Sequence, residues 1–202
     1  MEAARSAHAF VVCGDVTNFG GRASTSSVVN ALRSLGIPGY YVTGNCDTCA
    51  VGEYLAEEGI LLHEHPTEIG GYHFFGISGS TPCPRSTPGE LSEADFQMKL
   101  SRLKHHSCFS SDSAIVVAHQ PPYGGKTDLV KGQTHVGSQA VRDFVDSAAP
   151  LLYLSGHIHE AQGADWLGRS FLINPGPYRE NCFATITFPD LDVRFYPKVQ
   201  LS

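Results

Sequence analysis

The sequence predicts a single α/β domain, and three features carry that expectation. Short apolar, β-branched runs alternate with amphipathic helical stretches through the first half of the chain, a pattern that favours parallel strands. The tail gives closely spaced strands, which favour antiparallel additions. The length of 202 residues, with 42% hydrophobic and 17% charged residues, suits one well-packed globular domain (residues 1–202) with no linker, repeat or low-complexity segment.

The elements follow in order. Residues 7–13, AHAFVVC, form an apolar run ending at Gly14 and predict a buried strand. Residues 24–36 place Val28, Val29, Leu32 and Leu35 on one helical face, with Gly36 as the stop. A short strand at 39–42 ends at Thr43-Gly44-Asn45, and a short helix follows at 50–58. Residues 60–63, 68–69 and 72–77 predict strands of a meander; 78–89, rich in Ser, Thr, Pro and Gly, predict a loop. Residues 91–105 form the longest amphipathic helix, with Ser92 as its N-cap. A buried strand at 114–118, a long loop at 121–137, a helix at 138–147 and a strand at 151–154 come next. Strands at 171–174, 183–188 and 193–196 close the chain, after a surface hairpin around Trp166 and Leu167.

A net charge of −6 and a pI near 5.9 argue against generic binding to nucleic acid or to acidic membranes. No apolar stretch approaches the roughly 20 residues of a membrane span, and the start lacks the pattern of a signal peptide. The expected location is the cytoplasm, with the 6 cysteines as thiols. Cys46 and Cys49 form a C-x-x-C without a second pair, which does not make a structural zinc site.

The strand ends carry the chemistry. After AFVVC comes Gly14-Asp15, after GYYVT comes Gly44-Asn45, after AIVVA comes His119-Gln120-Pro121-Pro122, and after PLLYLS comes Gly156-His157-Ile158-His159. In open α/β sheets, sites form beyond the carboxyl ends of the strands. Each of these ends offers a carboxylate, an amide oxygen or an imidazole, and the glycines allow sharp turns beside them. Oxygen with imidazole donors suits Mn, Fe, Zn, Co or Ni better than Ca.

The strings GDVTNFGG, GNCD, AHQPPYGG and SGHIHE, in this order over residues 14–160, resemble the calcineurin-like metallophosphoesterases, and most of all their small prokaryotic phosphodiesterase branch. NPGP at 174–177 and HVGS at 135–138 are similar to that branch as well. The resemblance implies a four-layer α/β/β/α sandwich, two β-sheets flanked by helices. It implies two divalent metal ions, Mn first among the candidates and Fe, Zn, Ni or Co as alternatives. Asp15 would bridge the ions, Asn45, His119 and His157 would complete one site, and His159 would bind the other ion. A bridging hydroxide would attack the phosphorus of a small phosphodiester or nucleotide-like substrate.

Two departures from the pattern matter. The D-x-H motif that ends the family's first strand is missing, so the first ion keeps Asp15 and His159 as matched ligands, with Asp47 or Glu160 as nearby carboxylates. The expectation is that the natural protein begins upstream, that this chain lacks the first strand and helix of the fold, and that the exposed groove invites homo-oligomers. The second departure is Cys46, which stands where many members carry a proton-donating His. A thiol protonates an alkoxide poorly, so substrates with good leaving groups, or another donor such as His135, are expected. His135, with Lys126 and Lys131 on the long loop, is also placed to meet a substrate phosphate, and Asn18 and Phe19 to line the pocket. No metal role falls to His8, His63, His65, His73, His105 or His106. The alternative reading is a catalytically silent, protein-binding domain of the same fold, which the missing motif favours and the five surviving ligand types oppose.

Overall fold

A computed structural model describes residues 7–131 and 134–197. Its centre is a six-stranded sheet in the order β3 (Thr67–Ile69), β4 (Tyr72–Ile77), β5 (Ala114–Ala118), β8 (Leu152–Leu154), β10 (Ser170–Asn174) and β9 (Gly163–Leu167). The inner four strands run parallel, and β3 and β9 are antiparallel edges. Such an arrangement needs both faces covered.

β5 shows how the sequence meets that need. All five of its residues are buried. Ala114, Val116 and Ala118 point into one core, shared with Phe96, Leu100 and Leu103 of α3 (Glu93–Lys104) and with Val141, Phe144 and Val145 of α4 (Gln139–Ala148). Ile115 and Val117 point the opposite way, towards β1 (Phe10–Cys13), β2 (Gly39–Val42), β11 (Phe183–Thr187) and β12 (Asp192–Tyr196). The period-2 alternation of a strand thus feeds two cores.

The second β layer is built from two parallel strands, β1 and β2, and the antiparallel pair β11–β12. Val11 and Cys13 face inward, whereas Phe10 and Val12 face a third cluster formed by Val29 of α1 (Arg22–Arg33) and Val51, Tyr54 and Leu55 of α2 (Cys49–Glu57). The layers therefore run α1/α2, second β layer, central sheet, α3/α4, as expected for an α/β/β/α sandwich.

Several local expectations need correction. β1 is half-buried along its length, not buried, because β2 is its one hydrogen-bonded strand neighbour among the described residues. Residues 60–63 contribute a single bridge, Tyr41 to Leu61, so His63 and His65 do not alternate along a strand. The strand that carries His73 is no edge, since β4 lies between β3 and β5. The long loop after β5 contains a 3-10 turn at Lys126–Asp128 and a small hairpin of β6 (Leu129–Val130) and β7 (Thr134–His135). The start of α3 follows expectation: Ser92 accepts from Asp95 N while the Asp95 carboxylate accepts from Ser92 N, a reciprocal cap. Among the described residues no helix is long and apolar enough to cross a membrane.

Phe96 is fully buried between α3 and the sheet, whereas Met98 on the same helix is 49% exposed. Phe96→Ala should lower unfolding stability by about 3–5 kcal/mol, and Met98→Ala by no more than about 0.5 kcal/mol. Urea titration of the two variants checks the difference; equal effects would displace α3 from its place in the core.

Candidate metal centre

The carboxyl ends of β1, β2, β5 and β8 deliver Asp15, Asn45, His119 and His157 to one place. Two of these residues sit in left-handed backbone, Asp15 at φ 49° and His157 at φ 66°. Non-glycine residues adopt that conformation rarely, and it concentrates at functional positions. It turns each side chain back across the end of the sheet. The preceding glycines make room: a Cβ on Gly14, itself at φ 85°, would run into the His119 ring, and a Cβ on Gly44 would run into the Asp15 carboxylate.

His119 is the hub. It is 1% exposed, and its Nδ1 lies 2.7 Å from the Cys13 carbonyl oxygen. A carbonyl can only accept, so Nδ1 carries a proton, and in the neutral imidazole that a metal ligand requires, Nε2 presents a lone pair. Nε2 faces Asn45 Oδ1 at 3.0 Å, Asp15 Oδ1 at 3.5 Å and His157 Nδ1 at 3.1 Å.

The orientation of Asn45 follows from its neighbours. Thr87 Oγ1 donates to Glu90 Oε1 at 2.7 Å, which uses its single proton. It must then accept from Asn45 Nδ2, 3.1 Å away. That leaves the buried Asn45 Oδ1 pointing at the His119 lone pair. Asp15 Oδ1 adds a further acceptor and is held by Cys46 N at 2.9 Å. With His119 neutral, the N–H of His157 Nδ1 can reach His119 Nε2, and the partner that faces Asn45 Oδ1 is that same ring nitrogen. Converging acceptors of this kind are stable around a positive charge, and imidazole, amide oxygen and carboxylate together suit a divalent transition metal. The carbonyl behind His119 supplies the outer contact that fixes a ligating imidazole.

His157 fits the same role. Burial first, then the neighbouring His119, push its pKa down to about 4 against the pull of Asp15. It stays neutral near pH 7, as a metal ligand must. Among the described residues no three His, Cys, Asp or Glu side chains form a metal cluster by themselves; the group at the strand ends also includes the Asn45 oxygen.

The other expected residues have different surroundings. His159 is exposed in the 3-10 turn His159–Ala161, and its Nδ1 accepts from Arg179 Nη2 at 2.9 Å. The Cys46 thiol is 3.6 Å from Asn45 Nδ2, and burial followed by Asp15 and Asp47 pushes its pKa up to about 12. His135 is part of the β6–β7 hairpin and bonds Asp128. Glu160 is exposed. Asp47 is no metal ligand in waiting: its carboxylate accepts from Val16 N, Thr17 N, Thr17 Oγ1 and Gly44 N at 2.8–3.0 Å. It clamps the turn after β1 to the turn after β2. Asn18 and Phe19 are exposed beside that clamp, where Phe19 N donates to Cys46 O.

Sequence reasoning passed over the loop at 78–89. Its Thr87 orients Asn45, and its Cys83 Sγ lies 3.8 Å from His157 Nε2. Arg179 was missed too, although it follows the NPGP string by one residue past Tyr178.

Residues 87–196 match the family described as metallophosphoesterase, calcineurin superfamily. The chain is 31% identical over 177 residues to an uncharacterized Methanocaldococcus jannaschii protein, MJ1162, covering 85% of this chain and 78% of that one. The solved structure of TT1561 of Thermus thermophilus has the same fold, with a TM-score of 0.70, 20% identity, and coverage of 96% of this chain and 92% of that chain. The chain belongs to the calcineurin-like metallophosphoesterases. That superfamily consists in general of phosphoester hydrolases that use divalent metal ions.

Two outcomes test the geometry. A His whose pKa falls from 6.5 to about 4 on folding supports the fold fully above pH 6.5. That support is lost as pH drops towards 4, because the unfolded chain binds the proton first. The ion-free protein should therefore lose more stability between pH 7 and pH 4.5 than His157→Asn does, read as urea midpoints; equal losses would contradict the shift. Gly44→Ala should displace Asp15, weaken metal binding measured by calorimetry and destabilise the fold by about 1–3 kcal/mol. Gly52→Ala, where a Cβ on α2 meets nothing closer than 3.7 Å, should leave metal binding unchanged and stabilise the helix by about 0.5–1 kcal/mol.

Proposed function

We propose that this protein hydrolyses small phosphodiesters, including nucleotide-like ones, with divalent metal ions, manganese first among them, held at the ends of β1, β2, β5 and β8. One observation carries the reading: Asn45 Oδ1, Asp15 Oδ1 and the His119 lone pair converge within 3.5 Å with the proton of His119 committed to Cys13. Asp15, Asn45, His119 and His157 would hold one ion, and Asp15 with His159 would contribute to a second. Bound ions would supply Lewis-acid activation of water and neutralise charge on the phosphoryl oxygens. The chain's own residues do the rest. Asp47 fixes the two turns that carry Asp15 and Asn45, and the Cys13 carbonyl fixes the His119 tautomer. The Arg179 guanidinium, beside His159, 3.7 Å from Glu180 and 69% exposed, would offer positive charge to an anionic phosphate.

The test is hydrolysis of bis(4-nitrophenyl) phosphate and of 4-nitrophenyl phosphate, with and without manganese. The expected result is manganese-dependent turnover that favours the diester and falls at least about 100-fold in His157→Ala. Faster turnover of the monoester would overturn the diester preference. Absence of turnover on both, with metal bound, would favour the catalytically silent protein-binding domain instead.

A further inference from the structure

We propose that His135, positioned by Asp128, donates the proton to the departing oxygen of the substrate. This rests on the phosphodiester reading above and adds the acid that the turn after β2 does not provide, since Cys46 occupies the position following Asn45.

Asp128 is fully buried, yet each of its carboxylate oxygens has two N–H donors. Oδ1 accepts from Gly125 N at 3.0 Å and from His135 Nδ1 at 2.7 Å; Oδ2 accepts from Gly124 N at 3.0 Å and from Gly137 N at 2.9 Å. A carboxylate saturated in this way can only accept from His135, so the Nδ1 proton points at Asp128 and Nε2 faces away from it. A buried carboxylate that fixes one imidazole nitrogen and leaves the other for chemistry is the arrangement of a general acid–base histidine. The imidazole is 34% exposed, with the Tyr123 ring at 5.6 Å.

The hairpin is tied to the segments that flank the candidate metal centre. Gln120, the residue after His119, is fully buried; its Nε2 donates to Val136 O at 3.3 Å and its Oε1 accepts from Thr81 N at 3.0 Å. Tyr123 N donates to Ser138 O, and Ser138 N to Pro121 O, both at 3.0 Å. His135 pairs with Leu129 of β6, and β6 packs on the turn that carries His159. The histidine is thereby tethered both to the segment that follows His119 and to the turn that follows His157.

The step balances simply. Water adds its oxygen to phosphorus and gives up a proton to solvent. The ester P–O bond breaks with its electron pair on the leaving oxygen. That oxygen takes the Nε2 proton of protonated His135, and solvent restores it.

The rival explanation is that the Asp128–His135 bond only staples the hairpin. Leaving-group dependence separates the two, because a proton donor matters for a poor leaving group and hardly at all for 4-nitrophenolate. His135→Asn keeps an N–H for Asp128 but cannot transfer the proton; His135→Ala loses both. Manganese-loaded enzyme is assayed on a dialkyl phosphate, whose leaving group is an alkoxide, and on bis(4-nitrophenyl) phosphate. The expected result is a loss of about 100-fold or more in kcat on the alkyl diester for both variants. The loss on the nitrophenyl diester should be far smaller than on the alkyl diester, and added imidazole should restore part of the alkyl-diester rate in His135→Ala. His135→Asn behaving as wild type on both substrates, or His135→Ala losing equally on both, would overturn the proton-donor role alone. A wild-type protein inactive on both substrates would overturn the phosphodiesterase reading with it.

Discussion

The strand Ala114–Ala118 is the constraint on which the rest of the molecule depends. It is buried on both faces and flanked by parallel neighbours on both edges. Its alternate residues belong to two different cores, so a register slip of one residue would exchange every contact it makes. The residue that follows it is His119, which reaches across to the carbonyl at the end of β1. The position of the hub imidazole is therefore fixed by the most buried strand in the sheet, and that of its carbonyl partner by a strand in the neighbouring layer. The candidate metal centre lies at the seam between the two β layers because those are the strands whose ends meet there.

Asp47 illustrates how a site can need a charged residue that touches no ligand. By residue type and position it would serve as a metal ligand, and the sequence offers no means of separating the two roles. The structure commits all its acceptor capacity to Val16, Thr17 and Gly44. A buried carboxylate that accepts four such bonds exchanges its hydration for fixed donors. The result is rigidity between the two turns that carry Asp15 and Asn45. Asp128 does the same for the hairpin that carries His135, again through glycine N–H groups. In both places one buried Asp, bonded to main-chain N–H groups of the adjoining turns, replaces regular secondary structure as the support for a candidate site residue.

Much of this was legible in the sequence, and the limits have physical causes. The bounds of β2 and β5, the cap at Ser92 and the ligand-bearing strand ends could be read because each depends on local pattern: apolar runs, a capping side chain, a glycine before a polar residue. The short hairpin at Leu129–Val130 and Thr134–His135 could not, since strands of two residues carry no periodicity. The roles of Thr87 and Cys83 were invisible for another reason. They lie 42 residues from Asn45 and 74 from His157 along the chain, and nothing in a Ser- and Pro-rich loop announces which strand end it will cover. β1 read as buried from its apolar letters, but burial depends on what lies alongside, and its partners are not encoded in its own pattern.

The site is held together against its own preferences. Left-handed backbone at Asp15 and His157 costs on the order of 1–3 kcal/mol at each residue. Together these approach the lower end of the roughly 5–15 kcal/mol by which a domain is usually stable. A cation between the acceptors removes their mutual repulsion but leaves the backbone strain untouched. That strain must be borne by the strands on either side, and the strained residues accordingly follow closely on β1 and β8, within a few residues of the cores. A loop-borne site could relax its backbone and lose the convergence of its donors. Here the sheet denies that relaxation, so the donors stay within reach of one another whether or not an ion is bound.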